Sequence, residues 1–478
     1  MTDAAPAAST QLDPTNGNWS WEPQPAAQAF IDELVGLFLD RCPDADNLAT
    51  RMREQTATRF KDWIGVILVP DTQQTRDRLD ETGFTPITTE FADADIHYAF
   101  EHKLGLFPNI LLTESDRMSI GIKVEHINDF FAAHQIPGIE HVQGEPWSRS
   151  RWCKAFDGDR AALWVMQRTG YAGFGLTLES AEERVAAAHH LERLRCRPRN
   201  MGVGAEADTQ AIDHLNDMLD AAIEELGQDW ACELFFAAER DYWMRRNTAA
   251  RVQHARQNKL GLGWANHDHH TYRCSRENYT RVIAVFEKLG FFCRERFYAG
   301  GEAGWGAQVL EHPVTGIVIF ADVDMSAEEV EGDFSHEGFK NGNTGEVGTV
   351  GLWVALHGES LLQAGMHHLE CQFDHHALRQ QLDQESGIKT MDPFTSFPFL
   401  RQAFTEGERW EVAEPRIQLC KEQGWITDEQ AAAFRASGAL GSHLENLERN
   451  DGYKGFNQTG VSDIISRTDA RKHAGSSA

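Results

Sequence analysis

Two stretches far apart in the chain repeat one another, and that repeat limits the fold more than any other feature. Leu163-Trp164-Val165-Met166-Gln167-Arg168-Thr169-Gly170-Tyr171-Ala172-Gly173-Phe174 lies over Leu444-Glu445-Asn446-Leu447-Glu448-Arg449-Asn450 and then, after one extra residue, Gly452-Tyr453-Lys454-Gly455-Phe456. An internal duplication is the economical explanation. The chain is therefore expected to hold two halves of one design, each closed by the same strand and turn. Trp164 stands where the second copy has Glu445, so the halves differ in chemistry at that position.

The order of elements supports two halves. Helical spacing of Phe30, Leu34, Leu37 and Phe38 marks a helical lead-in over 26–60, after an Ala- and Pro-rich tail at 1–25 that is expected to be disordered. Strands are expected at Trp63–Val69, Pro86–Glu90, Ile110–Thr113, Ser119–Val124 and Ala161–Arg168, with helices at Thr75–Thr82 and Asn128–His134. A second helical lead-in, over 181–260 with a break near Pro198–Gly204, separates the halves. The pattern then recurs: a strand at Asp268–Cys274, a helix that Ser275 can cap and Gly290 can end, and strands at Phe291–Tyr298, Trp305–Glu311 and Ile317–Val323. A loop rich in Gly, Asn and acidic residues, Glu331–Gly348, reads as a lid, and a strand and helix follow at Met366–Phe373 and His375–Gln384. The catalytic half is expected over 261–460, with a helical insertion at 392–437, a final strand at Ser442–Arg449 and a C-terminal tail at 461–478. The fold class is α+β, with paired βαβββ modules in two halves.

Composition excludes several functions. A formal charge of −28 argues against nucleic acid or an anionic membrane as partner, and no apolar run approaches the roughly 18 residues of a membrane span. The eight cysteines form no C-x-x-C pair, which fits reduced thiols in a cytoplasm.

The chemistry is expected in Asn266-His267-Asp268-His269-His270-Thr271-Tyr272-Arg273, Met366-His367-His368-Leu369-Glu370 and Leu444-Glu445. Alternation along the first strand puts His269, Thr271 and Arg273 on one face. His368 is preferred over His367, although the sequence hardly separates them. Two imidazoles and a carboxylate form the ligand set of a non-haem Fe(II) site with open positions. Zinc accepts the same set, but no H-E-x-x-H helix is present. The first-half strands at Trp63–Val69 and Ser119–Val124 hold no histidine, so only the second half should carry metal. Each residue also has a plainer reading: hydrogen-bonded core histidines, a Glu445–Arg449 salt bridge, an Arg273 ion pair. Asp268 either orients a neighbouring histidine or ends a loop. Arg273 offers a planar fork matched to a carboxylate.

These segments resemble the vicinal oxygen chelate superfamily. Within it, Asp268-His269-x-x-x-Arg273, Met366-His367-His368-Leu369 and the stretch from Glu408-Arg409-Trp410 to Gln430-Ala431 resemble the 2-oxoadipate dioxygenase/decarboxylase family. The closing strand and its Gly-x-x-Gly-Phe turn resemble the 4-hydroxyphenylpyruvate dioxygenases. The resemblance implies Fe(II) on His269, His368 and Glu445, with Arg273 gripping a substrate carboxylate. The expected activity is oxidative decarboxylation of a 2-oxoadipate-like acid by O2. The alternatives are an aryl 2-oxo acid dioxygenase and a metal-free binding protein of the same fold. The partners are the oxo acid and O2; a homo-oligomer is open.

Overall fold

A computed structural model of the chain describes residues 21–87, 96–137, 141–301, 303–339, 347–457 and 469–473. It opens with α1 (Pro25–Arg41) and α2 (Pro43–Thr56), each with proline in its first turn, where the missing N–H costs nothing. The tail expectation falls mostly outside the described residues, but Trp21 is ordered, with its indole N–H toward Glu295 at 3.4 Å. Next come β1 (Ile64–Pro70), α3 (Gln73–Glu81), β2 (Thr85–Ile87), β3 (Ile96–Glu101), β4 (Asn109–Thr113), β5 (Met118–Lys123), α4 (Ile127–His134), β6 (Ser150–Gly158) and β7 (Ala161–Arg168). The lead-in to the second half is α5 (Ala181–Arg195), α6 (Ala205–Leu226), α7 (Gln228–Arg245) and α8 (Thr248–Asn258). A reciprocal Ser180–Glu183 capping box starts α5, and the Asn247 side chain caps α8.

The second half runs β8 (His267–Arg273), α9 (Tyr279–Lys288), β9 (Phe292–Tyr298), β10 (Trp305–Glu311), β11 (Val318–Asp324), α10 (Phe334–Glu337), α11 (Thr349–His357), β12 (His368–Gln372) and α12 (His375–Ser386). It finishes with β13 (Thr395–Phe397), β14 (Leu400–Phe404), β15 (Arg409–Trp410), α13 (Glu414–Glu422), α14 (Asp428–Ser437), β16 (Ala439–Leu440) and β17 (His443–Arg449).

Two expectations are corrected here. The segment from Phe394 is not helical at its start: β13 and β14 form a hairpin that adds to the main sheet beside β17, and only α13 and α14 are helices. Runs this short give too little periodicity to distinguish strand from helix. Ser275 does not cap α9, which begins four residues later; its hydroxyl accepts the Asn278 N–H and is held by Glu359. The proposed lid contains α10, and residues 340–346 of it lie outside the described residues.

The fold is mixed α+β, with two sheets that share one plan. In the first the strand order is β2-β3-β4-β1-β5-β7-β6; in the second, read from the same edge, it is β9-β10-β11-β8-β12-β17-β14-β13. The sense of pairing matches at every step: β1 with β4 and β8 with β11 are parallel, β1 with β5 and β8 with β12 antiparallel, β5 with β7 and β12 with β17 parallel. The long lead-in helices and α9 pack on one face of the second sheet, while α11 packs on the other, with Val350 against Trp305 and Phe320 and Trp353 beside Arg273. Phe235, Phe236 and Trp243 of α7 join Val282, Val285 and Phe286 of α9 in the second core, while Phe30, Phe38 and Trp63 anchor the first. The halves are tied by backbone as well as packing: Leu106 N–H donates to Gly452 O at 2.8 Å, and Asp374 N–H to Ala57 O at 2.8 Å.

Candidate metal centre

The site lies on three adjacent central strands, β8, β12 and β17. Their register places His269 opposite Glu370 and Glu370 opposite Glu445, so three ionisable residues form a row across the sheet. One step along, Thr271, His368 and His443 form a second row. Because strand side chains alternate, both rows project from the same face. All five ionisable residues in these rows are buried.

One donor atom each from His269, His368 and Glu445 lies within 4.8 Å of the other two. His368 Nε2 is 3.0 Å from Glu445 Oε2, and His269 Nε2 is pressed against Glu370 Oε2. The neighbouring imidazoles of His367 and His443 form a further group with His368, and Asp268 forms another with His269 and Glu370. These clusters can coordinate a metal. Glu370 and His443 were not selected from the sequence, although each lies two residues from a chosen ligand and hence on its strand face.

Asp268 has the orienting role rather than the loop-ending one. Its Oδ1 is 3.1 Å from His269 Nδ1, and the Arg449 guanidinium grips it at 2.9 and 3.0 Å. Gln372 donates a further bond to its Oδ2 at 3.0 Å. Fixing Nδ1 leaves Nε2 to face the cluster, the arrangement common behind metal-bound histidines. Arg449 thus pairs with Asp268, not with Glu445 as the salt-bridge reading had it. It also donates to the carbonyls of Tyr453 and Gly455, which ties the closing turn to β8. That turn sets the Phe456 ring edge-on to His269, centroids 5.0 Å apart.

Burial dominates the electrostatics of the cluster. Burial pushes Glu445 up to about 8 against the pull of hydrogen bonds from Glu370 and Gln402, and pushes Glu370 well above the carboxylate range. Burial, then Arg273, brings His368 down to about 3. Burial alone would raise Asp268, yet Arg449 and His269 overcome it and hold the carboxyl below its ordinary value. Neutral imidazoles and carboxyls that wait for a counter-charge are the donor set a divalent cation would satisfy.

The cavity over the centre is small, about 60 Å³. Its wall is aromatic, with Phe297, Trp305, Phe320, Phe394, Phe404 and Phe456, and its polar members include Arg273, Gln402 and Asn457. Gln402 donates to both Glu370 and Glu445, at 2.9 and 3.2 Å. Arg273 is fully enclosed, and its Nε has no hydrogen-bond partner. Its cross-strand neighbour Asp322 also has an unsatisfied buried oxygen, and burial raises that carboxyl to about 8 even with Arg273 nearby. The guanidinium itself is brought down to about 10 by burial.

The first sheet holds none of these donors. The closing repeat sets Trp164 in place of Glu445; Trp164 pairs with Gly121 as Glu445 pairs with Glu370, and Gly121 pairs with Val66 as Glu370 pairs with His269. Ser119 occupies the place of His368, opposite Leu68.

No helix among the described residues is long and apolar enough to cross a membrane. No family model matches the chain, and no curated protein matches it either. Among solved structures, the chain is similar to a glyoxalase-superfamily protein of Ralstonia eutropha at 14% identity, with 55% of this chain and 91% of that one covered and a TM-score of 0.29. It is also similar to a variant of 4-hydroxymandelate synthase from Streptomyces coelicolor at 11% identity, covering 86% and 97% at a TM-score of 0.22. A third likeness is to the uncharacterised protein YdcJ of Shigella flexneri, at 11% identity over 61% and 83% with a TM-score of 0.24.

Proposed function

We propose that the chain is a metal-dependent dioxygenase acting on a 2-oxo acid, with Fe(II) held by His269, His368 and Glu445. The observation that carries this reading is the convergence of two imidazoles and a carboxylate from three strands beside a buried arginine whose Nε has no partner. The donors fit the group, because two neutral nitrogens and one carboxylate oxygen make a set that leaves coordination positions open. Iron in such a site would supply oxygen activation and the redox steps of decarboxylation.

The chain's own residues do the rest. Asp268 holds the His269 proton at Nδ1, and Arg449 keeps Asp268 ionised for that purpose. Gln402 orients the Glu445 carboxylate through its amide N–H. Arg273 can accept a carboxylate in its fork, and its enclosure strengthens such a charge-assisted pair. Phe320, Phe404 and Phe456 exclude water from the substrate's side. At about 60 Å³ the cavity has room for roughly two waters, so an entering acid must displace part of this wall.

Two substrate classes fit, each through its own observation. The ring of six aromatic side chains favours an aryl 2-oxo acid of the 4-hydroxyphenylpyruvate type. Arg273 favours an aliphatic acid with a second carboxylate, as in 2-oxoadipate. Oxygen uptake by the iron-loaded chain with both classes decides between them: turnover of aryl acids alone selects the first, and turnover of dicarboxylic oxo acids alone selects the second. Uptake with neither class, in protein that binds iron, would reject the dioxygenase reading.

A further inference from the structure

The two sheets can be laid over each other residue by residue, and the first lacks a carboxylate acceptor that the second has. In both, the strand carries a bulge just before the first-row residue: the pairing of β8 with β12 skips Asp268, and the pairing of β1 with β5 skips Gly65. Gly65 is therefore the counterpart of Asp268. Two residues beyond Glu370 and Gly121, Gln372 pairs with Leu447 and Lys123 pairs with Met166, so Lys123 is the counterpart of Gln372. Arg168 and Phe174 match Arg449 and Phe456 in the closing repeat, and each arginine lies over its phenylalanine ring, at 5.7 and 4.8 Å.

In the second half Arg449 and Gln372 both donate to the Asp268 carboxylate. In the first half both donors have been kept, one now as a cation, while the acceptor has been reduced to a glycine. Among the described residues Arg168 has no hydrogen bond or ion pair, and its Nε and Nη2 are buried without partners. Lys123 is ringed by protein, yet its side chain is open to a cleft of about 780 Å³ between the halves that Gly65, Met166 and Tyr171 also line. Arg168 itself is half-buried and reaches the same cleft, and buried guanidinium nitrogens without an acceptor are unfavourable.

We propose that Arg168 and Lys123 form a binding site, at the edge of this cleft, for the carboxylate of a small monocarboxylic acid, which serves as the acceptor that Asp268 provides in the other half. The planar fork of Arg168 suits a carboxylate's two oxygens, and Lys123 supplies a third donor from the adjacent strand. A monocarboxylate is preferred to a polyanion because Asp62, Glu233 and Asp268 are the other charges near Lys123, and a second negative group would face them. Burial and then Arg168 lower Lys123, and burial brings Arg168 down to about 10.

The test uses the full chain and calorimetric titration with propionate, with inorganic phosphate as a second probe. Propionate should bind at about millimolar affinity, and Arg168→Met should weaken it by about tenfold or more. Gly65→Asp should do the same by supplying the missing carboxylate internally; its new Cβ would lie 2.5 Å from the flexible end of Met166, which can move. Arg273→Met, which alters the metal-centre cavity, should leave this binding intact. The proposal is overturned if wild type gives no propionate heat, if Arg168→Met and Gly65→Asp both bind as wild type does, if Arg273→Met abolishes the signal, or if phosphate binds and propionate does not. If Gly65→Asp fails to fold, Arg168→Met and Lys123→Ala decide.

Discussion

The two sheets use the same strand order, the same bulge and the same arginine over a phenylalanine, yet they bury different materials. In the second, the rows across the central strands read His269–Glu370–Glu445 and Thr271–His368–His443. In the first, the matching positions hold Val66, Gly121 and Trp164, with Leu68 and Ser119 beside them. The fold is therefore compatible with either an apolar or an ionisable interior, and the backbone plan alone does not imply a metal site. What separates the halves is the supporting set. Asp268, Gln372 and Gln402 orient the donors of the second sheet, and buried ionisable groups without such partners would be costly.

The sharpest way to break this contrast is to remove the donors. His269→Ala, His368→Ala and Glu445→Ala should each reduce bound iron from one per chain to near zero by metal analysis, while Trp164→Ala leaves it unchanged. Full occupancy in all three would erase the distinction between halves. Next in size, Arg273→Lys keeps the charge but loses the fork. Its kcat/KM on the best substrate should drop by about 2 to 3 kcal/mol, roughly 30- to 150-fold, with iron content unchanged. An unchanged kcat/KM would make Arg273 a structural cation.

Asp268→Asn probes the orienting layer that the first half lost at Gly65. It should weaken metal binding by about 10- to 100-fold, measured by competition with a chelator. Wild-type affinity would mean that His269 needs no second residue to hold it.

The smallest effect per step is in pH. In the metal-free protein Glu445, raised to about 8, is protonated at neutral pH and must lose that proton to coordinate. Metal affinity should therefore rise by about tenfold per pH unit below 8 and level off above it. Proton release, read as the dependence of binding heat on buffer, should approach one per metal from this group. A flat profile between pH 6 and about 8 would show that Glu445 is already ionised before metal binds.

How much of this was open to reading depends on whether a signal is local or lies across strands. The duplication was legible because Arg168 and Arg449, with their Gly-Tyr and Gly-Phe turns, kept their spacing. Parity sets His269 on the face of Thr271 and Arg273 and the closing repeat points to Glu445, while almost nothing in the sequence separates His368 from His367; one donor atom of each of His269, His368 and Glu445 lies within 4.8 Å of the others. Glu370 and His443 obey the same parity, but nothing in the sequence says which strands are neighbours. The Asp268–Arg449 pair spans 181 residues and depends on register alone. Likewise β13 and β14 become strands because β17 offers an edge to them, which no local pattern records.

The order in which the donors occur along the chain has a consequence for biosynthesis. Glu445 and Arg449 are made long after Asp268 and His269; the interval from 269 to 445 is 176 residues, which translation at about 5 to 20 residues per second covers in roughly 10 to 35 s. Throughout that interval the nascent β8 has neither the Glu445 carboxylate nor the guanidinium that steadies Asp268. The first sheet needs nothing from later in the chain to complete its own seven strands, so it can be in place while the other waits. On the proposed ligand set, metal can be captured only after the final strand has emerged, and capture would report completion of the whole second sheet rather than the arrival of any one histidine.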